Sequence, residues 1–481
     1  MATAIPPNRA PFTVDEIALA TGGRIVRGGA PTVGVFTDSR SVTRGAAFVA
    51  LVGDRFDGHA FLEQAAALGA KTLVVSSGDA TVPETAVVRV ADTRRALGAL
   101  AHAHRARWGR SGARSLVAIT GSAGKTTTKT VLAKMLDVVA TGSVHASAGN
   151  LNNDVGVPMT LFGLEEVHRY AVVEVGTSAA GEVEKLAAIA LPDVAVLTLV
   201  AAAHTEGLGT VDDVAREKGA LFAALSPNGL AVANADDPRA IAELARSPAE
   251  STRTYGFSTG TDYRIALREP RGLAGARLRI ERASGSSVDA DTPLLGAAGA
   301  LAVAASLAVV EWLIGRAMTG EELRRALSEL GSAGEGRLTP IVLSDGTLVI
   351  DDSYNANPAS MRASIAVAAE LAAEHGQRLL LVLGEMRELG ALSASEHQAL
   401  GRFAAERDVV HVFGVGGDAR LVTDEVVRVG KSATFAEDAD RAISLVSASV
   451  EPGNVVLVKG SRSIATEKIV RALVRDRGRR P

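Results

Sequence analysis

The segment Ile119-Thr-Gly-Ser-Ala-Gly-Lys-Thr-Thr-Thr128 constrains this chain more than any other. It ends the apolar run Ser115-Leu-Val-Ala-Ile-Thr120, which reads as a strand buried on both faces, and it opens a helical pattern. A glycine-rich turn between such a strand and a helix aims backbone N–H groups and the helix N-terminus at one place, which attracts phosphate. Lys125 adds a positive charge and Thr126 a hydroxyl suited to magnesium. The loop is therefore expected to hold nucleoside triphosphate through Gly121, Ser122, Ala123, Gly124, Lys125, Thr126 and Thr127. Ile119 stands where the longer phosphate-loop pattern has its first glycine, leaving the shorter form Gly121-x-x-Gly124-Lys125-Thr126. A plain glycine turn with a surface lysine is the competing reading, and the flanking strand and helix argue against it.

The fold expected around this loop is α/β in three domains, because 481 residues exceed what one core organises. Residues 1–110 alternate short apolar runs, Ala47 to Val52 and Thr72 to Val75, with helical segments, Ala60 to Leu68 and Thr93 to Arg107, as a small α/β domain would. A joint at Ser111-Gly112 opens a central domain, 111–332. Its strands Ser115 to Thr120, Ala171 to Val175, Val194 to Val200 and Leu230 to Ala233 read as one covered parallel sheet of the phosphate-loop ATPase kind. The glycine-rich joint Gly331-Ser-Ala-Gly-Glu-Gly336 then begins a doubly wound, Rossmann-like domain, 333–481. It has strands at Leu348 to Asp351, Leu379 to Leu383, Val409 to Phe413 and Val455 to Val458, and a helix Ser360 to Glu374 stopped by Gly376. Ligands gather at the carboxyl ends of such strands, which draws attention to Asp351-Asp352, Gly384, Gly414 and Lys459-Gly460.

Composition narrows the partners. A formal net charge of -3 provides no field for nucleic acid, and the basic end Arg475 to Arg480 reads as a solvated tail. No cysteine is present, so a bound metal must use oxygen or histidine. Met1 to Ala10 lacks the apolar core of a signal peptide, and a cytoplasmic chain is expected. Leu294 to Ile314 is the most apolar stretch, but Glu311 interrupts it, which suits a buried helix better than a membrane span.

Two polar residues follow apolar strands of the central sheet: Glu174 in Val-Val-Glu-Val-Gly, and His204 after Thr198-Leu-Val-Ala-Ala-Ala. Both are placed to reach a cation on the triphosphate, which favours carboxylate and water oxygens and accepts a histidine nitrogen less commonly. A strand-end carboxylate in an ion pair and a structural histidine are the alternatives.

Taken together, these segments resemble the Mur ligases over all three domains. Thr37-Asp-Ser-Arg40, Gly45-Ala-Ala-Phe48 and Asp57-Gly-His59 through Gly69-Ala70 look like the part of that family that grips a uridine nucleotide. Thr120 to Thr128 is similar to the ligase form of the phosphate loop, followed by Gly149-Asn-Leu-Asn-Asn-Asp-Val-Gly-Val-Pro158. Asp351-Asp-Ser-Tyr-Asn-Ala-Asn-Pro-Ala-Ser-Met-Arg362 resembles the branch that adds a dipeptide.

The resemblance implies an ATP-dependent amide ligase that joins D-alanyl-D-alanine to UDP-N-acetylmuramoyl-tripeptide; a monomer is expected. By the same resemblance Thr126, Glu174 and His204 hold magnesium, with two ions expected, and Lys218 in Ala215-Arg-Glu-Lys-Gly219 is carried as a carbamate. A neutral lysine that captures carbon dioxide becomes an anion with two oxygens, suited to a second magnesium. Arg337 and Asp351 belong to the active face that the last domain brings to the phosphates. Asn355 and Asn357 orient the nucleotide or the dipeptide, or simply build a turn before Pro358. Ser39 and Arg40 are expected to hold the nucleotide diphosphate, with a capping serine and a surface arginine as the alternative.

Several positions depart from that family. Gly296-Ala-Ala-Gly-Ala-Leu-Ala302 lacks the histidine and two asparagines of the adenine-side helix, Ala202 replaces a proline, and Ser178-Ala179 replaces Asn-His. The competing outcome is therefore a Mur-like protein that binds nucleotide or partners without ligating. A phosphate-loop motor finds no nucleic-acid patch or repeat, and a folylpolyglutamate synthase would have no place for the Asp38-Ser-Arg40 domain. No Asp-Asn-Pro-Arg run points to the ligase that adds the third amino acid. No histidine among His59, His204, His397 and His411 stands out as a base.

Overall fold

The computed structural model describes residues 5–53, 56–78, 82–110, 112–330 and 336–480. Ser111 and residues 331–335, which carry most of the two expected joints, lie outside the described residues.

Three principal sheets follow one another along the chain. The first has five strands in the order Arg24–Arg27, Ala86–Arg89, Thr72–Val75, Ala47–Val49, Val35–Phe36, parallel except at its first pair. The expected strand Ala47 to Val52 divides: Ala47–Val49 enters the sheet, while Val52–Gly53 pairs antiparallel with Phe56–Asp57. The expected helix from Ala60 opens earlier, as the 3-10 turn Gly58–Phe61, and continues as Leu62–Ala67.

The central sheet has nine strands. Ser115–Thr120 lies inside it, hydrogen-bonded to Tyr170–Glu174 on one side and Val194–Leu197 on the other, both parallel. Buried Leu116, Val117, Ala118 and Ile119 explain the unbroken apolar run, since helices cover both faces. The expected strand Val194 to Val200 stops at Leu197. Just beyond it Thr198 still donates its N–H to Thr120 O at 3.0 Å, while its hydroxyl donates to Ala123 O at 2.6 Å and so braces the glycine-rich loop.

The central sheet continues beyond the strands expected from sequence. After the expected strand Leu230–Asn234, Ser251–Gly256 and Tyr263–Pro270 extend it in parallel, and Ala276–Arg282 and Ser287–Thr292 close it antiparallel. Arg268 on this extension meets Glu370 of the C-terminal helix Pro358–His375 in a bidentate pair, with both N···O distances 2.7 Å. The apolar stretch forms the helix Gly296–Ile314, long and apolar enough to cross a membrane, yet mostly buried within the protein against the helix Lys125–Val139 and the sheet. Its Glu311 is buried too, accepting from Arg282 Nη2 at 2.7 Å, Tyr263 Oη at 3.0 Å and Met318 N at 2.8 Å.

The third sheet has six strands in the order Thr339–Val342, Leu348–Asp352, Val455–Lys459, Leu379–Gly384, Val409–Val415, Ala433–Ala436, parallel apart from the first. Helix Pro358–His375 ends at Gly376, whose φ of 62° permits the left-handed cap. The first two sheets share a core through the helix Thr93–Gly109, where Leu97, Leu100 and Trp108 pack with Phe12 and Phe162.

Candidate active site

The strand Ser115–Thr120 delivers the loop, and the loop is shaped by close approach. A Cβ on Gly121 would lie 1.9 Å from Thr198 Oγ1, and its φ is 150°, so no side chain fits there. Gly124 caps the helix Lys125–Val139 with φ 85° and has no side chain to occupy the first-turn N–H groups. Thr126 Oγ1 donates to Glu174 Oε2 at 2.9 Å, while Glu174 Oε1 accepts from Asn152 Nδ2 at 2.9 Å. Lys129 Nζ lies 3.7 Å from Glu174 and donates to Gly149 O at 2.8 Å. Lys125 Nζ rests on Gly121 O at 2.6 Å. Burial holds the ammonium of Lys125 below its ordinary range, with Glu174 acting in the opposite direction.

These residues line a cavity of about 1580 Å³ walled by all three parts of the chain. Arg94, Arg95 and His102 come from the helix Thr93–Gly109; Ser122 to Thr127, Glu174 and His204 come from the central part; Arg337, Tyr354, Asn355 and Asn357 come from the last. Asn357 caps the helix Pro358–His375 by accepting from Ser360 N at 2.9 Å, and its Nδ2 donates to Ser122 O in the loop at 2.9 Å. The guanidinium of Arg337 stacks on Tyr354, 4.1 Å from the ring centre, and faces the same cavity.

Asp351 differs from expectation. Its Oδ1 accepts from Ser353 N at 3.1 Å and Ser353 Oγ at 2.6 Å, and it does not line the cavity. Successive strand side chains point to opposite faces, and here Asp352 faces the cavity. Asp352 Oδ2 accepts from buried Lys459 Nζ at 2.6 Å and Ser364 Oγ at 2.5 Å, and its Oδ1 from Leu338 N at 3.1 Å.

Lys218 is fully buried and lies behind the cavity wall, close enough to Lys125 to feel its charge. Burial first, and Lys125 second, push its amine down to about 7. His204 lines the cavity; burial lowers its pKa, opposed by Glu388.

Ser39 and Arg40 are not brought into this cavity. Ser39 is buried with its hydroxyl on Gln64 Oε1 at 3.0 Å, and Arg40 is exposed, bound to Asp38 at 2.9 and 2.6 Å. Both follow the carboxyl end of Val35–Phe36, and His59, in the turn Gly58–Phe61, accepts from Ser76 N at 2.9 Å just beyond the strand Thr72–Val75. Asn152, Lys129 and Lys459 join the site without having been assigned a role from sequence. Asn152 sits in the stretch Gly149 to Pro158, and Lys459 ends a parallel strand, the place where ligands collect.

Comparison with known proteins gives a consistent pattern. Residues 32–105 match the Mur ligase family, catalytic domain, residues 119–310 the Mur ligase middle domain, and residues 336–462 the Mur ligase, glutamate ligase domain. The chain is 37% identical to the UDP-N-acetylmuramoyl-tripeptide–D-alanyl-D-alanine ligase of Escherichia coli over 91% of this chain and 93% of that one. It is 32% identical to the ligase of the same name from Mycobacterium tuberculosis, over 91% of each chain. Its structure matches MurF from Acinetobacter baumannii with a TM-score of 0.85 at 30% identity, covering 97% of this chain and 100% of that one. MurF of Thermotoga maritima, solved in complex with ADP, gives a TM-score of 0.78 at 26% identity, covering 92% of this chain and 97% of that one.

Proposed function

This chain belongs to the Mur ligase family, and on that footing we propose that it joins D-alanyl-D-alanine to UDP-N-acetylmuramoyl-tripeptide, driven by ATP, in the synthesis of peptidoglycan precursor. One observation carries the proposal most directly. The bond from Asn357 to Ser122 O fastens the C-terminal helix to the phosphate loop, so a phosphate held there faces Arg337, Asp352 and Lys459 across a single cavity.

The chemistry asked of the site is activation of a carboxylate. Its negative charge repels an amine, and oxide leaves poorly, so the tripeptide carboxylate must first attack the γ-phosphate of ATP, breaking its bond to the bridging oxygen, to give an acyl phosphate and ADP. The amine of D-alanyl-D-alanine then displaces phosphate to form the amide. Such transfers depend on positioning and on neutralising oxygen charge. Lys125 and Arg337 supply positive charge, and the N–H groups after Gly124 supply fixed dipoles. We assign the carboxylate of the C-terminal face to Asp352 in place of Asp351. Saturated by three donors, it holds Lys459 and the chain near Asn355 in place, and Lys459 Nζ also donates to Asn355 O at 2.9 Å.

A magnesium-bound triphosphate fits these donors. Among the described residues there is no cluster of three histidines or carboxylates that would enclose a cation alone. Magnesium commonly takes one or two protein oxygens and fills its shell with phosphate and water. Thr126 and Glu174, joined at 2.9 Å, are the residues we assign to it, with His204 beside them. Bound there, magnesium would neutralise charge developing on the phosphate oxygens. The depressed amine of Lys218 supports its assignment as the site of a carbamate and of a second magnesium, since only a neutral amine captures carbon dioxide.

We divide the work among residues 1–110 for the uridine nucleotide, 111–332 for ATP and 333–481 for closure. Ser39 and Arg40 are assigned to the nucleotide end because they follow the carboxyl end of a parallel strand. ATP and the nucleotide-linked peptide are cytoplasmic metabolites, and we place the reaction there, with the monomer as working unit. The test is a coupled assay of phosphate release. Release that requires both peptide substrates is the expected result; nucleotide binding without turnover would make this a non-ligating relative, and hydrolysis independent of both would make it a plain ATPase.

A further inference from the structure

Two residues other than glycine take the left-handed backbone where the central and C-terminal parts meet, and they bond to each other. His204 has φ 58° and Glu388 φ 64°. A Glu388 carboxylate oxygen accepts from His204 Nδ1. Neighbouring groups repeat the junction: Glu206 N–H donates to Glu388 O at 3.1 Å, and Thr205 Oγ1 donates to Leu389 O at 2.9 Å. Side-chain-bearing residues use this backbone region sparsely, and keep it where the surroundings hold them there.

An ionised carboxylate only accepts hydrogen bonds, so the proton at this contact belongs to Nδ1 of the ring. Nε2 is then the nitrogen with a lone pair, and it has no partner among the described residues. His204 lines the cavity that also contains Lys125, Thr126 and Glu174. We infer that Glu388 is a positioning residue for His204: it fixes the Nδ1–H tautomer and the ring orientation, so that Nε2 presents its lone pair to the divalent cation of the nucleotide.

Carboxylates that accept from the second nitrogen of a ligating histidine orient the ring and raise its basicity. Here the carboxylate and the histidine stand in connections that follow strands of different sheets, Leu379–Gly384 and Val194–Leu197, which gives the arrangement a consequence of its own. The cation is held tightly only when the C-terminal part has closed on the central one. Metal affinity and closure are coupled through this contact, one of several that join the two parts.

The inference rests on the reading of the cavity as a magnesium–triphosphate site, and the experiment separates the two. Binding of Mn2+ to the full chain in the presence of ADP is followed by electron paramagnetic resonance of the free ion, without turnover. Glu388→Ala should weaken Mn2+ binding on the order of tenfold. Glu388→Gln, whose carbonyl still accepts from Nδ1–H, should keep most of the affinity. His204→Ala should weaken binding at least as much as Glu388→Ala, and the double variant should be no worse than His204→Ala. Unchanged binding in Glu388→Ala, equal losses in the Ala and Gln variants, or additive losses in the double variant would overturn the positioning role. If His204→Ala itself leaves Mn2+ binding unchanged, the assignment of His204 to the cation fails, and the inference with it.

Discussion

Asn357 holds two elements at once: its Oδ1 caps the helix Pro358–His375 through Ser360 N, and its Nδ2 reaches Ser122 O in the phosphate loop, both at 2.9 Å. The two bonds use opposite ends of one amide, so substitution can separate them. Asp caps helices as well as Asn but cannot donate. Asn357→Asp should melt within a few degrees of the parent while kcat/KM for ATP falls about tenfold. Asn357→Ala should lose both, with a cap cost of about 1 kcal/mol. Thermal melts and steady-state kinetics on the two variants check this.

Lys125→Ala should reduce product formation by at least about 100-fold, the scale for removing one preorganised charge from a transition state. The fold should survive, because the side chain's recorded bond is to Gly121 O within its own loop. Retained ligation, measured by product chromatography, would show that the triphosphate lies elsewhere.

Glu174 ties Thr126, Asn152 and Lys129 together, and among the described residues no other carboxylate joins this network. Glu174→Gln should raise the magnesium concentration for half-maximal activity by on the order of tenfold or more. An unshifted magnesium titration would remove Glu174 from the cation.

The buried amine of Lys218 makes a prediction about pH. Its pKa is about 7 in the fold and 10.5 in the unfolded chain, so between those values the unfolded chain binds the extra proton. Its contribution to stability is fully present above 10.5 and is lost as the pH falls to about 7. In carbon-dioxide-free buffer, Lys218→Met should melt above the parent at pH 7, the difference shrinking as the pH rises, and should be inactive. Activity of the parent should fall below pH 7 and recover in part with added bicarbonate.

Glu311 neutralises Arg282, whose side chain is 8% exposed, inside the sheet-facing side of the most apolar helix. Glu311→Ala leaves that cation buried and should cost about 3–5 kcal/mol. Replacing both residues by apolar ones should cost less, and denaturant melts of the single and double variants compare them.

The loop Ile119 to Thr128 was legible because every residue in it obeys a local rule: buried strand, glycine turn, lysine, hydroxyl, helix. The parallel core strands were legible for the same reason, as uninterrupted apolar runs. The antiparallel extension from Tyr263 to Thr292 was not, since it alternates polar and apolar residues: Arg264 and Arg279 reach Glu281 and Asp289 on one face, while Arg268 stands opposite buried Leu278 on the other and reaches Glu370. The choice between Asp351 and Asp352 also escaped sequence. Adjacent carboxylates on one strand face opposite ways, and which face meets the cavity depends on pairing with Val455–Lys459. Glu388 could not be found at all, because its partner His204 is distant in the chain and their meeting depends on how two sheets are joined.

The position of Ser115–Thr120 inside the central sheet also bears on how the chain is made. That strand leaves the ribosome before either neighbour exists, and it cannot complete its ladder until Val194–Leu197 has followed Tyr170–Glu174. Until then its unbroken apolar run has the helices Thr93–Gly109 and Lys125–Val139 to lie against, but no neighbouring strand on both sides. Non-local parallel pairing is slow to form and exposes sticky surface while it waits. The strand that delivers the phosphate loop in the finished protein is thus a segment of the nascent chain that needs protection during synthesis.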